Sequence, residues 1–117
     1  MNASMYKIEA YIRPNRLEAV QEALKDIDLD SFTVIEAKGL GGQKSLSHTF
    51  RGSQYANNLA PRTILQIFVL AEHLDEAMNA IQQAAMTGEL GDGKLFVTPI
   101  EDALRIRTGE RGTTALS

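Results

Sequence analysis

The chain has 117 residues, 12 Lys+Arg against 15 Asp+Glu, a formal charge of −3, two His, no Cys and no Trp. That length accommodates one domain with one core, and 44% apolar with 23% charged residues is neither a disordered nor a collagenous composition. Zero Cys excludes thiol catalysis, Cys-ligated zinc, iron–sulfur clusters and disulfides, and the acidic balance gives no global positive field for nucleic acid. Met1 to Ala10 carries Lys7 and Glu9 and does not read as a secretory signal. The longest apolar stretch, Ile64 to Leu70, is interrupted by Gln66 and falls far short of the ~20 residues that span a bilayer. The expectation is a cytoplasmic protein with no direct membrane insertion.

Tyr6, Ile8, Ala10 and Ile12 alternate with Lys7, Glu9, Tyr11 and Arg13, the period of a strand with one apolar face. Pro14 ends it and can open a helix. Leu17, Val20, Leu24 and Ile27 form an apolar stripe on a helix of three turns or more. Asp28 to Ser31 is a polar connection, and the β-branched run Phe32 to Ala37 predicts a second strand. Gly39 to Ala60 has no sustained periodicity; a loop of that length inside a compact domain points to a function. Ile64 to Leu70 is apolar on both faces, as in a strand covered on both sides. Leu74, Met78, Ile81 and Ala85 mark a second helix, Thr87 to Lys94 a Gly-rich turn and Leu95 to Ile100 a fourth strand. Ala103 to Thr108 reads as short and extended, and 109–117 as a loose tail.

This order predicts a duplicated split βαβ unit: an α+β, ferredoxin-like (βαββαβ) sandwich of four antiparallel strands with two helices on one face. The whole chain, 1–117, reads as a single domain, with 41–60 its long loop. The apolar third strand predicts that oligomerisation covers the second sheet face.

Thr87-Gly-Glu-Leu-Gly-Asp-Gly-Lys94 is the most informative stretch. Glycines let backbone N–H groups approach an anion and Lys adds a charge, as in phosphate cradles. The spacing is not that of a Walker P-loop. A plainer reading of the same residues has Gly88 capping the helix and Asp92-Gly93 forming a tight turn. On an extended segment Arg105 and Arg107 would share a face about 6.5–7 Å apart, with Leu104 and Ile106 facing the core. Such a pair could straddle a polyphosphate or merely blunt an edge strand. Tyr55, inside the long loop, is either a partner anchor or modification site or a ring folded against the body. His48 and His73 are isolated from any metal-binding pattern.

Together these pieces resemble the nitrogen regulatory protein PII family over Met5 to Glu110. The resemblance rests on Met5-Tyr-Lys-Ile-Glu-Ala-Tyr-Ile-Arg-Pro14, Thr33-Val-Ile-Glu-Ala-Lys-Gly39, Gly41-Gly-Gln-Lys44, Arg51-Gly-Ser-Gln-Tyr55, Thr87 to Lys94, and Arg105-Ile-Arg-Thr-Gly-Glu110. It implies a homotrimeric signal-transduction protein that binds ATP or ADP in clefts between subunits. Gly91, Asp92, Gly93 and Lys94 fall in the loop that wraps the phosphates, and Arg105 and Arg107 match arginines presented by the neighbouring subunit. Thr33, Gly39, Gly41, Arg62, Gln66 and Phe68 match positions of the nucleotide-binding site. Gln43 matches a glutamine that helps ligate Mg²⁺ when 2-oxoglutarate joins MgATP. Tyr55 falls at a tyrosine that some members have uridylylated, and Ser53 at a serine others have phosphorylated. The resemblance also implies that 41–60 is a flexible partner-docking loop, its partner a membrane transporter, by family default the ammonium transporter, or a metabolic enzyme. A paralogue regulating inorganic-carbon or other transport is the alternative.

The chain departs from the family pattern at several of these positions. Gly42 replaces an Arg, Arg62 a Lys and Gln66 a Glu, while Tyr11 and Phe68 are bulkier than the aliphatic residues usual near the base. No catalytic residue stands out, so the expectation is a regulator, with slow ATP hydrolysis at most a side activity. Four Phe, three Tyr and an acidic charge argue against an RNA-binding sheet.

Overall fold

The computed structural model describes residues 3–29, 31–39 and 60–116. Strand β1, Met5–Ile12, follows its predicted alternation: Tyr6, Ile8, Ala10 and Ile12 are buried, whereas Lys7, Glu9 and Tyr11 are half-buried on the other face. Pro14–Arg16 makes a single 3-10 turn that leads into helix α1, Leu17–Lys25. The helix is nine residues long and stops short of Ile27, which belongs to the turn after it.

Strand β2, Thr33–Gly39, lies at a sheet edge, and strand β3, Ala60–Leu70, begins earlier than its apolar run suggests. Pro61 is tolerated because β1 pairs with β3 only as far as Thr63, leaving β2 as its single neighbour there. Helix α2 is Leu74–Ala85 and strand β4 is Lys94–Pro99.

The strands form one antiparallel sheet in the order β2-β3-β1-β4. Each βαβ connection therefore skips over one strand, the ferredoxin-like arrangement the element order predicts. One face carries Ile8, Ala10, Ile12, Leu65, Ile67 and Val69 against Val20 and Leu24 of α1 and Ala77, Ile81 and Ala85 of α2. Each large aliphatic chain buried there contributes about 1.5–3 kcal/mol. Arg16 fastens the helices at one end, donating from Nε and Nη2 to the Ala84 carbonyl at 3.0 and 2.6 Å. That carbonyl belongs to the last turn of α2, where intrahelical partners run out.

The opposite sheet face carries no helix. Along it lie Ile35, Ile64, Phe68 and Phe96, with Phe68 49% and Phe96 51% exposed. Among the described residues, no helix is long and apolar enough to cross a membrane.

Candidate functional site

The 86–94 segment is organised by one carboxylate. Helix α2 ends at Ala85, and Met86 is already extended at φ −72°, ψ 130°. Asp92 reaches back to accept from the Thr87 and Gly88 N–H groups at 2.7 and 2.9 Å and from the Thr87 hydroxyl. Arg13, at the end of β1, donates to the same carboxylate at 3.0 Å and to the Leu90 carbonyl at 2.7 Å. These donors, the Thr87 hydroxyl foremost, hold the Asp92 carboxyl well below the ordinary carboxylate range. Gly88, with φ +90°, lies beyond the end of α2 and belongs to this loop, not to a helix cap.

Gly93 is where the loop meets the sheet. Its φ is +101°, and a Cβ built on it would stand 1.7 Å from the Tyr11 carbonyl oxygen. The missing side chain lets the loop press against β1, so that Lys94 opens β4 directly opposite Tyr11, exposed on the helix-free face. Tyr11 in turn meets Phe96 edge-on, with ring centroids 5.6 Å apart. The inward turn of Asp92 matters for electrostatics: its charge is matched by Arg13, while Lys94 points outward as a cation.

Two rows cross the helix-free face in register: Lys94, Tyr11, Ile64, Ile35, and then Phe96, Glu9, Gln66, Thr33. Gln66 donates to Glu9 at 3.0 Å, and Lys7 lies 3.6 Å from the same oxygen. Arg62, opposite Ala37, lines a cleft of about 380 Å³ with Pro14, Glu36 and Lys38. Gly39 closes β2 opposite Ala60.

The carboxyl-terminal segment differs from its sequence reading. Leu104 and Ile106 are 56% and 94% exposed, not core residues, and 103–108 is not a strand. Gly109, at φ +78°, lets the chain reverse: Arg105 N–H donates to the Glu110 carbonyl at 2.9 Å, and Gly109 N–H to the Arg105 carbonyl at 2.7 Å. Local acid–arginine pairing then favours the turn over an extended path. Arg105 pairs with Glu110 and donates to the Thr114 carbonyl at 2.9 Å, while Arg111 pairs with Asp102. Arg111 foremost holds the Asp102 carboxyl below its ordinary range. The two arginines Arg105 and Arg107 are therefore not neighbours on one strand face. Nor is the tail loose through its described part: Gly112–Leu116 forms a 3-10 turn, and Leu116 lines a cavity of about 330 Å³ with Ser31, Phe68, Leu70 and His73.

Within one chain the candidate residues form two groups. Gly39, Arg62, Gly91, Asp92, Gly93 and Lys94 lie toward the end of the sheet where β1 stops. β4 runs from there to Pro99, and Ile100 N–H donates to the Met5 carbonyl at 3.0 Å, about 20 Å away along the strand. The segment bearing Arg105 and Arg107 follows, tied through Thr114 to the turn that reaches Phe68 and Leu70. Thr33 and Gln66 lie between the two groups, paired across β2 and β3. Gly41, Gln43, Ser53 and Tyr55 lie outside the described residues. Among the described residues no group of three or more His, Asp or Glu could hold a metal ion. Sequence reasoning missed Arg13, whose bond to Asp92 links positions 79 apart; its only local signal is a basic residue before Pro14.

These features define a ferredoxin-like α+β domain with a glycine-rich, cation-bearing loop at one sheet end. The sequence model of the nitrogen regulatory protein P-II family matches residues 5–110. The chain is 46% identical to a nitrogen regulatory protein P-II of Azospirillum brasilense, over 96% of this chain and all of that one. It is 48% identical, over the same shares, to one of Rhodospirillum rubrum. A solved structure of Arabidopsis thaliana PII bound to citrate superposes with a TM-score of 0.80 at 34% identity, covering 97% of this chain and 92% of that one. The chain belongs to the nitrogen regulatory protein P-II family of signal-transduction proteins.

Proposed function

We propose that this protein is a nucleotide-sensing regulator: a homotrimer that binds ATP or ADP in the clefts between copies and acts through its long loop on a transporter or metabolic enzyme of nitrogen assimilation. The observation that carries this reading is the separation of Lys94 from the Arg105–Arg107 segment along one sheet. A polyphosphate is far shorter than that separation, so cations of both groups grip one ligand only when one copy's Lys94 end meets the next copy's arginine end. Cyclic assemblies have such head-to-tail interfaces, and the helix-free face bearing Phe68 and Phe96 supplies apolar surface for one.

The 87–94 loop suits a phosphate chain. Its Asp92 carboxylate is engaged by Arg13 and by loop donors, while Lys94 is exposed as a cation beside the strand and Glu89 is exposed farther along the loop. Charge-assisted bonds of this kind are worth about 1.5–3 kcal/mol each. The Arabidopsis relative is bound to citrate, a multiply charged anion, which agrees with an anion-binding role for the fold. A γ-phosphate that orders a loop, against a diphosphate that leaves it unordered, is a known type of switch. Mg²⁺ and 2-oxoglutarate belong to the same reading through Gln43 and Arg62.

Isothermal titration with ATP, ADP, AMP, 2-oxoglutarate and bicarbonate, combined with sedimentation velocity, tests it. The expected result is a trimer that binds ATP and ADP; a monomer, or no heat with any adenine nucleotide, overturns it. A parallel assay of ADP release measures any slow hydrolysis.

A further inference from the structure

Arg105 does not wait for a ligand with its donors idle. Its Nη1 is paired with the Glu110 carboxylate and its Nη2 donates to the Thr114 carbonyl at 2.9 Å. The Thr108 hydroxyl donates to the same Glu110 oxygen at 2.9 Å. Thr114 belongs to the 3-10 turn Gly112–Leu116, whose last residue forms one wall of the 330 Å³ cavity beside Phe68 and Ser31. A second clasp holds the base of that turn: Asp102 takes Arg111 and, at 3.1 Å, the Gly112 N–H. One guanidinium thus joins an internal anion to the segment that walls the cavity.

We propose that the carboxyl-terminal turn is a self-inhibitory latch: Glu110 stands in for an anionic ligand on Arg105, and a polyanion must displace it, releasing the 112–116 turn from the Phe68–Leu70 end of β3. This rests on the reading that Arg105 engages nucleotide phosphates. A carboxylate and a phosphate oxygen seek the same forked donors. A phosphate that takes both arms of the guanidinium displaces Glu110 from Nη1 and the Thr114 carbonyl from Nη2, and a retained Glu110 would add like-charge repulsion. The latch therefore lowers affinity most for the most highly charged nucleotide and couples occupancy to the position of Leu116.

The test is titration of wild-type protein, Glu110→Gln and a chain ending at Arg111 with ATP, ADP and AMP. Amide exchange of residues 112–116 is followed with and without ATP. Neutralising Glu110 keeps the side chain's shape, and the expected result is ATP affinity raised about three- to fivefold, with a smaller gain for AMP. The shortened chain shows the same order of gain, and in wild-type protein ATP speeds exchange at 112–116. If wild-type protein binds ATP but both variants bind it equally or more weakly, or exchange at 112–116 slows with ATP, the latch is refuted while the nucleotide reading stands. If wild-type protein binds no adenine nucleotide, the nucleotide reading falls and the latch falls with it.

Discussion

Gly93 lies so close to Tyr11 that its own Cβ, if it had one, would overlap the Tyr11 carbonyl oxygen at 1.7 Å. The neighbour is backbone in a central strand and cannot give way cheaply, and φ is +101° besides. Gly93→Ala is therefore expected to destabilise the fold by about 2–4 kcal/mol, a fall of roughly 8 °C or more in thermal midpoint. Gly88→Ala is the control: its φ is also positive, but nothing lies within 4 Å, so about 1 kcal/mol of left-handed backbone cost is all that applies. Equal midpoints for the two variants in calorimetry would show that the Tyr11 contact is not what fixes this loop.

Asp92 and Asp102 both hold their protons less tightly than free carboxylates, through bonds from Thr87 and Arg111 respectively. The folded values lie below the unfolded value of about 3.9. Their stabilisation is therefore complete above about pH 4 and is lost as pH falls further through the folded values. Thermal midpoints should be flat in this respect from about pH 7 to 5 and drop below about pH 4. Asp92→Asn should melt lower than wild type at neutral pH and show a shallower acid drop. Parallel acid profiles for the two proteins would place the acid sensitivity elsewhere.

The strands and helices were legible because burial enforces period. Tyr6, Ile8, Ala10 and Ile12 must alternate to reach a core on one face, and Ile81 and Ala85 must lie one turn apart to reach the same core from a helix. The family motif likewise marked the 87–94 loop, since a positive φ and a close backbone approach leave a glycine in the sequence. Period misled at Leu104-Arg105-Ile106-Arg107, which alternates like a strand but joins no strand of the sheet; Glu110 draws Arg105 into a local pair, and Asp102 takes Arg111 just beyond the segment. The role of Asp92 was illegible for another reason. Its partner Arg13 lies 79 positions away, and only the fold of β1 beside β4 brings them together.

Phe68 and Phe96 lie on the sheet face that carries no helix, each about half exposed in the single chain. Water on two large aromatic faces is unfavourable at roughly 25 cal/mol per Å², so the proposed trimer is expected to bury this face. Phe68→Asp is expected to shift sedimentation from trimer to monomer at micromolar concentration while the helices retain their circular dichroism. A variant that remains trimeric would assign the interface to another face.

A shared site makes a prediction about mixtures that a self-contained one does not. Lys94→Ala and Arg107→Ala should each weaken ATP binding, by about tenfold or more if each removes a charge-assisted bond. Lys94 and Arg107 belong to the two separate groups in one chain, so a cleft between copies draws one from each neighbour. Unfolding and refolding the two variants together at equal amounts assembles them at random. A cleft is intact when the Arg107→Ala copy contributes its lysine and the Lys94→Ala copy contributes its arginine, which happens in about a quarter of clefts. Titration of the mixture should then recover about that fraction of high-affinity sites, whereas each variant alone recovers none. A mixture that binds only as the average of its two components would place both cations on one chain's site and refute the shared cleft.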